Sequence, residues 1–487
     1  MVYGEWWVDS RKRYPRPYVP PQHTAAGELF DDGFTGWRLE TLGPLLSGPI
    51  GLSSSNAGVG DSSEPLTVWG TDRDGYFYSL LNTHHWRTQH QSPNVRGGVQ
   101  TWPVSVIVKS RDDWVTPSDL VDQIDVYLQD LDAWASDPSE LHTDHDRESK
   151  TVSISVETRS ATATVGKAEV EARWGRNVSS SIEHVSASPG AVIRIVDTLP
   201  ISEIANQWSS PLSQLMSLLM MRTSVVDRID ARLARKSAAD HPEYVEVRIP
   251  QPVDDDHRGR SESSIVKRQH EMLATRRALA SAETTWDRLL PGFFGALDDD
   301  EFKTTLSLLI ASQEKTEGFR FDDSLLYAFN AIESFHRTRF DGTVTEEPRV
   351  AKVLKEMKQR VPRGLKAVIN PRLAATRHKR MLEKIDDILG ICGTVAADLS
   401  SACPDLASVL HDARTASAHA TTERMSAQDQ VDALVSTQWL LRHGLLQSLG
   451  IDSQACDQII RQNFEFKGHT RALGRRHSHR TPPAERH

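Results

Sequence analysis

Cysteine is scarce. The 487 residues contain three, Cys392, Cys403 and Cys456, far apart in sequence and without a C-x-x-C pair. That spacing argues against a disulfide framework or a zinc knuckle and fits a reducing compartment, so a cytoplasmic location is expected. Long apolar runs are also missing. The longest, around Leu215 to Met221, falls far short of a membrane span, and the polar, aromatic N-terminus has no signal-peptide core, so no membrane partner is expected. Positive charge is not in excess either. Against 57 Lys and Arg stand 66 Asp and Glu, for a net charge of -9, which excludes a generic nucleic-acid binder and restricts any RNA contact to a local patch. The glycine- and serine-rich stretch from Gly51 to Ser63 lacks the lysine and the spacing of a phosphate-binding loop and reads as a plain loop. Acidic runs at Asp254 to Asp256 and Asp298 to Glu301 stand beside helix starts and read as solvated caps. No metal and no cofactor is expected.

What is present divides the chain. Its length calls for two or three domains. Residues 1 to about 110 are rich in Gly, Pro, Trp and Tyr, with short apolar pieces such as Leu66 to Trp69 and Val104 to Val108 between turn residues, which is a β pattern. Trp6, Trp7 and Trp37 are of the type that stacks nucleic-acid bases, yet in a β domain they are expected in the core. The spacing of Leu120, Ile124, Leu128, Leu131 and Trp134 predicts a helix over 118–135. Strands resume at Val152 to Val156 and Val192 to Val196, and a mostly antiparallel sheet is expected to end near Pro200. Beyond it Leu212, Leu215, Met216, Leu219 and Met220 form a helical core stripe, interrupted later by a strand-like piece from Tyr244 to Ile249. From about Asp300 helix follows helix. Ser426, with Asp429 three residues on, predicts the cap of a long helix that packs Leu434, Leu441, Leu445 and Leu449 inward and stops at Gly450. The fold class is therefore α+β, a β-rich N-terminal domain followed by an all-α helical bundle. The expected boundaries are 1–200 for the β-rich domain, 201–300 for a mostly helical connector, 301–465 for the bundle and 466–487 for a basic tail. That tail carries Arg471, Arg475, Arg476, Arg480 and Arg486 with few apolar groups, so disorder is expected there.

Chemistry concentrates at Arg414-Thr415-Ala416-Ser417-Ala418-His419. Arginine keeps its charge and forks onto phosphate oxygens, while histidine titrates near neutrality, a pair suited to phosphodiester chemistry without metal. Pro404 and Asp405 suit a helix start, so a helix is expected to carry both residues. Five positions apart on a straight helix means about 140° apart, so the two side chains cannot converge on one small ligand. Either the helix bends or ends between them, or two copies of it face each other. Ala413, Ala416, Ala418 and Ala420 favour the second arrangement, because small residues let helices approach closely. Arg235 with His241 and Arg372 with His378 follow a looser version of the spacing, which shows how readily it arises by chance.

These features resemble one family. Arg-x-x-x-x-His near the end of a helical C-terminal domain resembles the signature of HEPN ribonucleases, whose dimers cut RNA between two such motifs. Leu325 to Arg337, containing Glu333, and Trp439 to Gly450 resemble helices of ApeA-type HEPN proteins. Gly4 to Val8, Gly27 to Phe30 and Trp37 to Glu40 are similar to the opening of the ApeA N-terminal domain. The family usually has Asn, or another polar residue, where this chain has Thr415, and often Gly where it has Ala420. The resemblance implies a HEPN bundle over 301–465 and a sensing domain before it. It also implies an endoribonuclease of anti-phage defence that acts as a homodimer on RNA, among them tRNA or another structured RNA, after a phage-derived trigger. Arg414, His419, Thr415 and Glu333 are the catalytic residues it carries over. The residues themselves leave Glu333 two partners: Arg337 one turn on, or Arg414 and His419 across the bundle. With Thr415 in place of Asn, a non-catalytic module that binds nucleotide, RNA or a partner protein stays open.

Overall fold

The computed structural model describes residues 1–8, 25–31, 37–42, 66–83, 87–89, 99–129, 131, 134, 141–146, 151–156, 159–180, 185–234, 243–249, 282–313, 321–340, 353, 355–357, 360–362, 365, 379–419 and 425–478. They form two compact units. The first holds the described residues of 1–216, 224–249 and 282–287, and the second holds 217–223 and the described residues from 288 onward. Gly51 to Ser63, Asp254 to Asp256, the looser Arg and His pairs and Ala420 lie outside the described residues.

The first unit is antiparallel β. Its strands are β1 (Val2–Val8), β2 (Ala25–Asp31), β3 (Trp37–Leu42), β4 (Leu66–Asp72), β5 (Phe77–Thr83), β6 (Arg87–Gln89), β7 (Val99–Pro103), β8 (Val106–Ser110) and β9 (Leu120–Leu128). There follow β10 (Leu141–Asp146), β11 (Thr151–Val156), β12 (Arg159–Val165), β13 (Ala168–Ser180), β14 (Val185–Val196), β15 (Leu199–Pro200), β16 (Val226–Leu233) and β17 (Tyr244–Arg248). One sheet runs β12-β13-β14-β9-β16-β17-β8-β5-β4-β1-β2-β3-β7-β6, with β15 also on β9, and β10 pairs with β11 separately. Trp6 and Trp7 point to opposite faces of β1 as strand pleating requires, and both are buried, so each face of that strand is covered. Trp6 packs with Leu29, Leu39, Tyr78, Leu80 and Trp102. Gly70 on the neighbouring strand leaves room for its ring, which a methyl group at that position would overlap. Trp37 is half-buried, with the Arg248 guanidinium 5.8 Å from its ring centroid. The three tryptophans are thus structural.

Two expectations change here. Residues 120–128 form strand β9 and not a helix. The four-residue apolar spacing misled because Leu120, Ile124 and Leu128, four apart, share one face of a strand just as they share one side of a helix. Asp125 is almost fully buried and takes two 2.8 Å hydrogen bonds from Arg194 directly opposite on β14. Nor does the sheet end near Pro200, since β16 and β17 bridge β9 to β8 at its middle.

Helix α1 (Ser210–Met220) buries the predicted stripe completely. The remaining helices are α2 (Ala282–Ala296), α3 (Asp300–Ala311), α4 (Phe321–Arg339), α5 (Met381–Ile391), α6 (Gly393–Ala402), α7 (Leu406–His419), α8 (Ala427–Ser448), α9 (Ser453–Gln462) and α10 (Phe464–Ser478). The β-rich part followed by an all-helical part is the α+β order read from the sequence. Caps fall where the sequence puts them: Asp299 accepts from the backbone of Glu301 and Phe302 at the start of α3, and Ser426 accepts from Asp429 at the start of α8. Gly450 follows α8 with φ of 81°, a conformation that costs glycine little.

Disorder over 466–478 is the third correction, because α10 continues to Ser478, while 479–487 lie outside the described residues. Phe466 and Leu473, seven residues apart, face one side and are buried. Arg476 forks onto the buried carboxylate of Asp432 on α8, and His469 Nε2 lies 2.9 Å from Ser436 Oγ. The count of apolar residues hid this helix, since two anchors and one ion pair hold it. Burial lowers the His469 pKa to about 4. In the unfolded chain the imidazole takes its proton near 6.5, so between about pH 6.5 and pH 4 the unfolded state binds more protons than the folded one. Stability of the helical unit should therefore be complete above that window and fall through it by up to about 3 kcal/mol. Chemical denaturation at pH 7 and pH 4.5 should show the loss, and His469→Gln should flatten it. An equally steep loss in that variant would place the acid sensitivity elsewhere.

Candidate functional site

Helix α7 buries Leu406, Val409, Leu410, Ala413 and Ala416, a stripe at three- and four-residue spacing against α4, α5 and α8. This corrects one expectation. Ala413 and Ala416 are small on the side that meets their own bundle, so they are not the surface on which a second copy of the helix would rest. The stripe leaves Arg414 and Thr415 half-exposed. Helix α4 is held just as firmly through Leu325, Ala328, Phe329, Ile332 and Phe335. It meets α8 at Gly444, where a methyl group would overlap the Phe335 ring. That close approach fixes the turn of α4 that carries Glu333.

Across the α4–α7 contact, Arg414 Nη2 lies 3.5 Å from Glu333 Oε1. The local pair between Glu333 and Arg337 does not form; Arg337 instead reaches Glu301 on α3 at 3.3 Å. The structure therefore places Glu333 on the motif arginine, the cross-bundle alternative. The pair is loose and open to water, with side chains 37% and 31% exposed, so its contribution to stability is at most about 1 kcal/mol. The guanidinium stays accessible to solvent. A phosphate, which accepts two parallel N–H bonds from the fork, would compete well for such a group.

Thr415 donates its hydroxyl proton to the carbonyl of His411 at 3.0 Å, and Ser417 donates to the carbonyl of Arg414 at 2.9 Å. Thr415 therefore has only lone pairs left for a ligand. His419 is the last residue of α7, so the helix does not end between the two motif positions. The His419 side chain lies outside the described residues, as does that of Ala418.

Behind Glu333 lies a buried group that the sequence did not single out. His336, fully buried on α4, has Nε2 2.7 Å from Asp387 Oδ2 on α5, and Lys379 Nζ reaches the same oxygen at 2.6 Å. Burial works against the charged Asp387 carboxylate, yet the hydrogen bonds from Lys379 and His336 outweigh it and hold its pKa below the usual range. The Phe340 ring stacks on His336 with centroids 4.8 Å apart. This cluster locks the end of α4. Only long-range pairing reveals it, since Asp387 is 51 residues from His336.

The first unit has a cleft on its sheet lined by Tyr3, Glu5, Glu28, Glu40, Asp72 and Arg73. No helix among the described residues is long and apolar enough to cross a membrane. A family model described as ApeA N-terminal domain 1 matches residues 1–287, more than half of the chain. No curated protein matches the chain, and no solved structure does.

Proposed function

The chain belongs to the ApeA N-terminal domain 1 family, and from that premise we propose that it is an anti-phage defence protein whose helical unit is a HEPN-type, metal-independent endoribonuclease acting as a homodimer. The N-terminal unit detects a phage-derived trigger, and the helical unit then cuts RNA. The observation that carries this reading is the Arg414–Glu333 pair, because it joins the motif to the one remote residue that the HEPN resemblance assigns to the same site. Arg414 supplies a fixed cation for the phosphate. Glu333 aims it, and His419 carries protons. Within one chain Arg414 and His419 stand about 140° apart on one helix, so two copies must supply the full set.

Thr415 supports a second reading, that of a non-catalytic module holding nucleotide, RNA or a partner protein, because its hydroxyl proton is committed to His411. Incubating RNA with the purified protein and with His419→Ala separates the two. The ribonuclease reading expects cutting by the first alone. Retained RNA binding with cutting by neither would favour the module, and equal cutting by both would trace the activity to a contaminant.

A further inference from the structure

Three side chains that could not be connected from the sequence meet away from the Arg414 site. Cys403 closes α6, Asp405 stands immediately before α7, and His477 lies in the last turn of α10. Cys403 Sγ is 3.3 Å from Asp405 Oδ1 and 3.7 Å from His477 Nδ1, and the last two atoms are 3.8 Å apart. From this triangle we infer that Cys403, Asp405 and His477 form a zinc site that fastens α10 to the junction of α6 and α7.

The dimensions are the first support. Zinc bonds sulfur at about 2.3 Å and nitrogen or oxygen at about 2.0 to 2.2 Å, and at tetrahedral angles these give donor-to-donor edges of about 3.4 to 3.7 Å. The three observed edges match within about 0.4 Å, so one ion fits above the triangle with small side-chain shifts. Direction is the second support. Sulfur and carboxylate approach the same imidazole nitrogen. In a Cys-His-Asp proton relay the acid would hold the opposite nitrogen, so the arrangement is not that of an activated nucleophile. Convergence of three donors on one point is what a shared ion produces.

Burial fits as well. Cys403 is fully buried and the His477 side chain is 6% exposed, while that of Asp405 is 61% exposed. Two ligands are fixed from inside, and the third opens a way in for the ion and a fourth position for water. Binding would release the thiol proton to solvent and leave a thiolate on the metal. The site is structural in its effect. The start of α7 lies about 12 Å along the helix from Arg414, too far for the ion to touch a phosphate held there.

The test uses the full, tag-free chain freed of metal by dialysis, then titrated with Zn²⁺ alone and with Co²⁺ alone. Uptake of one Zn²⁺ per chain is expected, with a higher melting temperature of the helical unit. Co²⁺ should give a sulfur-to-metal charge-transfer band that Cys403→Ser abolishes. His477→Ala should weaken binding tenfold or more. Asp405→Asn, whose side chain is largely exposed, should weaken it without changing the stability of the metal-free protein, which keeps the test informative if either buried variant folds poorly. Absence of uptake, a cobalt spectrum without a sulfur band, or binding unchanged in Asp405→Asn and His477→Ala would overturn the inference.

Discussion

Arg414→Ala is expected to slow RNA cutting about 10²- to 10³-fold, or about 3 to 4 kcal/mol of transition-state stabilisation, while the protein stays folded. The magnitude follows from what the guanidinium does. A pentacoordinate phosphorus gathers negative charge that the starting diester lacks, and a cation already aimed at it needs no reorganisation. Folding should be indifferent, because the side chain is 37% exposed and its one ion pair is loose. Lysine should rescue little, since it keeps the charge and loses the fork. Glu333→Gln tests how the guanidinium is aimed. If Glu333 acts only through Arg414, its loss should cost activity in the wild type and almost nothing more in the Arg414→Ala background. Equal costs in both backgrounds would give Glu333 a separate role. Near wild-type cutting by Arg414→Lys would show that charge alone suffices.

How far the sequence reaches is visible in these same residues. The helix carrying Arg414 and His419, the capped α8 and the buried stripe of α1 were legible because local rules govern them: a capping pair, a stripe at helical spacing, a glycine stop. Strand β9 was not, because apolar residues four apart share a face in a strand as they do on a helix, and that spacing alone does not separate the two. Helix α10 was not legible, because its hold on the bundle depends on Asp432 and Ser436, more than thirty positions earlier. The same limit applies at the site. Spacing offered Glu333 a partner one turn away, and only the packing of α4 on α7 decided for Arg414. Scarcity of cysteine spoke against a zinc knuckle, yet it said nothing about a single cysteine meeting Asp405 and His477 in space.

In the proposed reaction RNA is its own nucleophile, with Arg414 on the phosphate and a histidine from each copy moving the protons. The adjacent 2′-hydroxyl is already placed beside phosphorus, and such placement supplies much of the acceleration. One His419 would take the 2′ proton, and its counterpart would protonate the leaving 5′ oxygen. Chelation of the zinc proposed above should lower thermal stability without stopping the chemistry, so the assay belongs well below the melting transition and in excess EDTA. The most direct measurement replaces the ribose on the 5′ side of one mapped cut by deoxyribose and follows every cut in the same RNA. Under this mechanism that cut alone should be lost, with 2′,3′-cyclic phosphate and 5′-hydroxyl ends at all the others. Cutting at the deoxy position, or activity lost in EDTA and restored by magnesium, would contradict it.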